Sequence, residues 1–431
     1  MNMTRLKKTN IISTIVALIV VLLPIVRYYD MPLTSVSVFS FFELFLLLFL
    51  VIFGARKKMS TRMHRCRVAL VCFLAYSVIA TFLASAFLAK SFLTNSFLSF
   101  MFMGVIISLL IGIQINKRIV FRVYEIVALG VCLVYIFQLF LMLVGIRVSF
   151  KIPFLSFSES WGYLERYHFG MNDSVPTSLF SERAHFAEFL IPYLIICLFN
   201  RGSKKVKSKV FAVAVSVIVL STLSGNGVVL VLLSWVFYFL LSSSMSPKKV
   251  FVIIMSALAI LALYNLLNSI PSFNKLFSTL FVNTTGMNAW TKADYRIYRG
   301  FDYYRQIPAF NQIFGIGYDN LSIFSDMLNI SSIYDKGEMY FGYLSAFFQI
   351  LIYTGCIGLF LFAIHLYYFQ SCNAKLCKGL LFLFVAICVS TETLFEVYHL
   401  LFALLMVASS KNIYKPRFFH ETIPLYHSTS F

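Results

Sequence analysis

The sequence predicts an all-α polytopic membrane protein of about twelve transmembrane helices, with two long outer loops on one side. Three observations predict it. Hydrophobic residues make up 60% of 431 and charged residues only 12%, about half the charged share of soluble domains. Apolar runs near the roughly 20 residues needed to cross about 30 Å of hydrocarbon recur along the chain. The basic residues between them alternate in density from one connection to the next, as the positive-inside rule requires.

The first run, 11–26, follows Arg5, Lys7 and Lys8 and resembles a signal peptide. No small-x-small cleavage site follows, so it reads as an uncleaved first span. The next spans are 35–54, 68–89, 96–115, 123–146 and 184–199. Segment 55–67 carries Arg56, Lys57, Lys58, Arg62, Arg65 and Arg67, segment 116–122 carries Lys117, Arg118 and Arg122, and segment 200–209 carries Arg201 and four lysines. The intervening connections are poorer in cations, which sets the N-terminus inside.

The run 210–242 is broken only by Gly225-Asn226-Gly227. As one helix it would be about 50 Å long, well past the bilayer, so a hairpin of 210–224 and 228–242 is expected. The span 250–267 follows, then 343–370, and the break at Thr391-Glu392-Thr393 divides 379–392 from 394–410 in the same way. Both termini are then cytoplasmic, with one integral membrane domain over 1–410 and a tail over 411–431. The outer loops are 147–183 and 268–342, both rich in aromatic residues.

The net charge of +19 would suit nucleic acid or anionic lipid, but its placement follows membrane sidedness. The eight cysteines fall in spans or inner loops and imply neither a disulfide framework nor a zinc site. No glycine-rich loop carries a Lys-Ser or Lys-Thr, and no Asp-x-Asp pair is present, so nucleotide hydrolysis and a metal-held nucleotide-sugar donor are unsupported.

Chemistry is concentrated in residues 294–317 of the second loop. Arg296, Arg299 and Arg305 gather there with Asp294 and Asp302, interleaved with Tyr295, Tyr298, Tyr303 and Tyr304, and the segment closes on Phe314-Gly315-Ile316-Gly317. Guanidinium groups grip phosphate bidentately, tyrosine rings stack on sugars, and the glycines permit a turn or close backbone approach. The structural alternative is a helix laced with salt bridges, since these charges recur three apart. The second cluster is Glu182, Arg183, His185 and Glu188. Ser181 suits a helix N-cap there, yet ionisable groups at membrane depth usually serve a site or a water-filled cavity. Glu392, Glu396 and His399 could line the same cavity. Glu43 and Glu125 are weaker candidates, as helix–helix contacts.

These stretches resemble the O-antigen polymerases of the Wzy type, in the superfamily that also holds the O-antigen ligases. Phe180-Ser181-Glu182-Arg183-Ala184-His185 is similar to the family's acidic motif entering a span. Ser221 to Gly227 resembles its Ser/Thr-Ser-x-Gly hairpin, with Gly225 where an arginine often stands. Arg296 to Gly317 resembles its arginine-rich outer loop, and Tyr343 to Gly358 its next span, with Gly355 and Gly358 in a Gly-x-x-Gly step. Ligases usually carry a histidine where Tyr340 stands here, which favours polymerase.

The resemblance implies transfer of a glycan from undecaprenyl diphosphate to another lipid-linked repeat unit, at the outer face of a bacterial inner membrane and without metal or cofactor. Under it, Arg183, Arg296, Arg299 and Arg305 clamp the diphosphate, Glu182, His185 or Glu338 is the base, and Asp302, Tyr298, Tyr303, Gly315, Gly317 and Tyr340 line the substrate. The partners implied are the undecaprenyl-diphosphate-linked oligosaccharide, membrane lipid and a chain-length-regulating membrane protein, with no nucleic acid. The rival readings are a lipid-linked oligosaccharide flippase, a ligase and a generic secondary transporter.

Overall fold

Backbone amides and carbonyls have no water to bond in hydrocarbon, so apolar runs of this length close their hydrogen bonds internally as helices. A computed structural model describes residues 3–31, 37–54, 59–144, 146, 152, 154–157, 176–180, 182–199, 205–222, 224–242, 289–332, 344–370, 375–390 and 396–410. Helix accounts for 83% of the structure, and the protein is a helical membrane protein. The expected span 250–267, the stretch Trp161 to His168, Glu338, Tyr340, Glu392 and the tail 411–431 lie outside the described residues.

In chain order the first elements are α1 (Met3–Val26), β1 (Tyr29–Asp30), α2 (Val38–Phe53), α3 (Thr61–Phe87), α4 (Asn95–Gly112), α5 (Lys117–Leu143) and β2 (Ser156–Phe157). Next come α6 (Arg183–Phe199), α7 (Lys205–Ser221), α8 (Gly225–Ser242), α9 (Ala289–Gln306), α10 (Ala309–Phe314) and α11 (Leu321–Leu328). The last three are α12 (Ala346–Gln370), α13 (Lys375–Ser390) and α14 (Val397–Ser410). Within α1, α3, α4, α5 and α12 lie five stretches long and apolar enough to cross a membrane; α2, α7, α8 and α14 hold shorter apolar helices. The first expected break is present but displaced: helix ends at Ser221 and restarts at Gly225, so the glycines expected to form the turn open α8 instead, with α7 and α8 packed together. Helix α13 extends to Ser390 and its neighbour α14 begins at Val397, while the expected break at Thr391-Glu392-Thr393 lies outside the described residues.

Helix α14 is the post around which the others stand: Val397 to Ser409 are all buried, among α1, α4, α5, α6 and α13. Helix α6 is nearly as enclosed, buried from Phe186 to Leu198. The start of α6 is fixed by a clasp on α5, where Ser178 N donates to Gln138 Oε1 at 2.7 Å and Gln138 Nε2 returns to Ser178 O at 3.0 Å. The broadest helix pairing is α12 with α3. Tyr29 and Asp30 pair antiparallel with Phe157 and Ser156, which ties the end of α1 to the loop before α6.

Helix α12 is broken at Gly355, whose φ of 64° and ψ of −172° leave the helical region. Such a conformation is essentially confined to glycine. The break frees carbonyls that the Phe-Gly-Ile-Gly stretch fills: Ile316 N donates to Ile352 O and Gly317 N to Tyr353 O, both at 3.0 Å. The backbones meet closely here. A Cβ on Gly355 would lie 2.2 Å from Ile313 O, and one on Gly315 would lie 2.3 Å from Tyr353 O.

Candidate functional site

The helix directions bring five ends together: the C-termini of α1 and α13 and the N-termini of α6, α8 and α14. A continuous polar cluster occupies that end. Arg27, just past α1, pairs with Glu396, just before α14, at 2.5 Å. Burial opposes the arginine's charge, but Glu396 and the neighbouring tyrosines more than offset this and raise the group above its ordinary range. The guanidinium also lies 5.4 Å from the centroid of the Tyr28 ring. His185, one helical turn into the chain from Glu182, meets two tyrosine rings. The Tyr28 ring stands 5.5 Å away, tilted by 41°, and the Tyr398 ring, nearly parallel at 10°, stands 5.8 Å away. Tyr398 Oη donates to His185 O at 3.0 Å.

Glu188 shares a face with His185, being three residues on. It is 1% exposed. Its Oε1 accepts from Asn226 Nδ2 at 2.8 Å, and Asn226 Oδ1 accepts from Ser390 Oγ at 3.1 Å. Its other oxygen, Oε2, has no hydrogen-bond partner and stands 3.7 Å from His185 Nδ1, itself without one. A buried carboxylate half-satisfied in this way is costly unless it serves a nearby cation or proton. The pair can hold an imidazolium beside a carboxylate, which is what a proton-accepting histidine needs after it has taken its proton.

The glycine hairpin serves packing. A Cβ on Gly227 would lie 2.9 Å from that of Ala187, so the glycine lets α8 approach α6, and Asn226 is thereby carried to Glu188. Ser221 Oγ is 3.0 Å from Tyr135 Oη and extends the polar cluster toward α5.

Helix α9 is amphipathic and lies on α12, touching α8 and α13, the two helices that carry Asn226 and Ser390. Its predicted residues part ways. Tyr298 and Arg305 are exposed, Arg296 is half-buried, and Arg299 is 4% exposed. Asp302 reaches Arg305 at 3.4 Å and accepts from Ser332 Oγ at 2.9 Å, so the salt-bridged helix and the cationic face coexist. Tyr303 was expected to stack on substrate; it is fully buried against the core that includes Ile307, Phe324 and Phe348, where no ring face is open. Gly315 and Gly317 were expected at the ligand. They are buried, and Gly317 N is committed to α12, so their freedom serves the closure of the broken helix. Glu182 is exposed and Arg183 half-buried at the start of α6.

Sequence reasoning missed Arg27, Tyr28 and Tyr398. The signal available was the run of ionisable and phenolic side chains at the apolar run's edge, Arg27-Tyr28-Tyr29, facing Glu396-x-Tyr398. Among the described residues, no group of three or more His, Cys, Asp and Glu side chains is placed to hold a metal ion. No family model matches the chain, and no curated protein matches it.

Proposed function

We propose that this chain is a membrane glycosyltransferase of the O-antigen polymerase type, with about twelve spans and cytoplasmic termini in a bacterial inner membrane. It joins undecaprenyl-diphosphate-linked repeat units at the outer face. The acceptor hydroxyl attacks the anomeric carbon, its proton passes to His185 Nε2, and the bond from that carbon to the diphosphate oxygen breaks. The lipid diphosphate leaves with the bonding pair. Arg305, Arg299, Arg296 and Arg183 offset the charge that develops on the departing oxygen. Glu188 steadies the imidazolium until the proton is lost.

The observation that carries the reading is the His185–Glu188 pair at 3.7 Å, with the Tyr28 and Tyr398 rings against the imidazole and Glu188 held by Asn226 and, through it, Ser390, on the two helices that the arginine helix α9 also touches. A histidine base together with a cationic, aromatic helix suits a donor already activated and already in the membrane. The test is genetic and chemical. Cells lacking the protein should carry a single repeat unit at the surface. Loss of export would point to a flippase, and polymer stranded on the carrier to a ligase. In complemented cells with matched protein levels, His185→Gln and Glu188→Gln should shorten the glycan ladder toward one repeat, as general-base losses of about 10²- to 10⁴-fold demand. Long chains from both variants would overturn the assignment.

A further inference from the structure

We infer that residues 307–320 are a re-entrant segment that dips to about half the depth of the hydrocarbon and presents Phe310, Ile313 and Phe314 to lipid acyl chains. The inference does not depend on the reaction proposed above.

Depth is read from α3, whose uncharged stretch runs from Arg67 to Lys90. The segment climbs it in order. Phe314 O accepts from Tyr76 Oη at 2.9 Å, Tyr318 N donates to Thr81 Oγ1 at 3.0 Å, and Asn320 Nδ2 meets Ser85 Oγ at 3.3 Å. At the top, Asp319 O accepts from Lys90 Nζ at 3.0 Å. Tyr76 lies nine residues from Arg67 and eleven from the helix end at Phe87, so it sits about 14 Å and 17 Å from the two. Helix α12 gives the same depth independently: Ile313 abuts Gly355, nine residues and about 14 Å below the helix start at Ala346.

Irregular backbone survives at that depth only where protein satisfies it, and here it is satisfied. Beside the bonds to Ile352 and Tyr353, Gly315 N donates to Asn311 O at 2.7 Å. Asn320 Nδ2 donates to Ile316 O at 3.0 Å, Gln312 Nε2 to Ile307 O at 2.8 Å, and Asn311 Nδ2 to Gly315 O at 3.4 Å. The polar side chains thus turn back on the segment itself. What faces outward is apolar: Phe310 is 69% exposed and its ring lies tilted against that of Phe314 at 4.6 Å. The two helices that the segment packs against expose apolar side chains as well, Ile79, Phe82 and Leu83 on α3 and Phe360 on α12. An apolar exterior shared with two apolar membrane helices names the occupant, because a patch of this kind facing water would be a liability.

The test replaces Trp161, Trp235 and Trp290 by Phe in the full chain, adds Phe310→Trp or Phe314→Trp, and reconstitutes each into phosphatidylcholine vesicles. Lipids brominated at mid-chain should quench both reporters about twofold or more, and aqueous iodide should leave them unchanged. Quenching by iodide and not by bromolipid, or by neither, as when a second copy covers the face, would overturn the inference. The unmodified chain offers a second measurement. Photolysed with an acyl-diazirine phospholipid, it should be labelled within 307–320 as well as at 79–83; label at 79–83 alone would also overturn it.

Discussion

Replacing Gly355 with alanine probes the joint between α12 and the Phe-Gly-Ile-Gly stretch. The glycine's φ of 64° costs an alanine about 1–3 kcal/mol. Its methyl group would also meet backbone on the other side, Ile313 O at 2.2 Å and Gly315 N at 2.6 Å. Neither neighbour can rotate away, so the stretch must withdraw. Withdrawal forfeits the hydrogen bonds from Ile316 N and Gly317 N, each worth about 0.5–1.5 kcal/mol net. The total is about 2–6 kcal/mol, and its lower end is already a shift of roughly 30-fold in the local opening equilibrium. Hydrogen-exchange mass spectrometry of the purified protein reads that opening. Peptides spanning 313–320 should exchange faster by at least this factor in Gly355→Ala. A fair control is Gly130→Ala on α5, where an added Cβ meets nothing within 4 Å and exchange should not change. Exchange in Gly355→Ala within about twofold of wild type would refute the reasoning, because strain and lost bonds could not then be present together.

Three further outcomes are expected. Removing one partner of the Arg27–Glu396 pair, as Arg27→Met or Glu396→Gln, should cost about 1–3 kcal/mol of unfolding free energy, between the values for surface and buried pairs. The double variant should cost less than the sum, as a double-mutant cycle would show. Arg305→Ala, at a side chain 64% exposed, should leave thermal stability within about 0.5 kcal/mol yet shorten the glycan ladder. Arg299→Ala, at a site 4% exposed, should lower stability by about 2 kcal/mol or more, so equal melting curves for the two would contradict their placement. Thr81→Val removes the acceptor for Tyr318 N at nearly constant volume and should cost about 1–3 kcal/mol, with Thr81→Ser near wild type in a denaturation series.

The helices were legible because their signal is local. An apolar run bounded by cations reads as a span wherever it sits, and the break just before Gly225 stands beside a composition change visible in a short window, one turn from where the glycines suggested it. His185 and Glu188 were legible for the same reason, three apart on one helix face. The tyrosine contacts were not, because Tyr28 and Tyr398 lie hundreds of residues apart and only the bundle's closure brings both to one imidazole. The path of the second loop was hidden more deeply. Residues 268–342 carry enough charge to look wholly extramembranous, and the average over that segment masks a stretch, Ile307 to Ile316, without a single charge. Its counterpart was present too. Ser77, Thr81 and Ser85 repeat every fourth residue along a membrane helix, each 1% exposed, and such small polar stripes mark the faces where other backbone comes close. Tyr303 shows the opposite error: set among arginines and other tyrosines it suggested a ring open to substrate, whereas an amphipathic helix must turn one side inward and Tyr303 is on that side.

The post of the bundle has a consequence for assembly. Helix α14 is translated after α1, α4, α5, α6 and α13, the helices that enclose it. Until it is inserted, each of those five presents to lipid a surface shaped for a partner not yet made. Its 14 residues span only about 21 Å, too little to match a bilayer alone, so its insertion depends on a slot kept open by its elders. A chain halted before Val397 would therefore leave on α1, α4, α5, α6 and α13 the apolar faces that α14 covers.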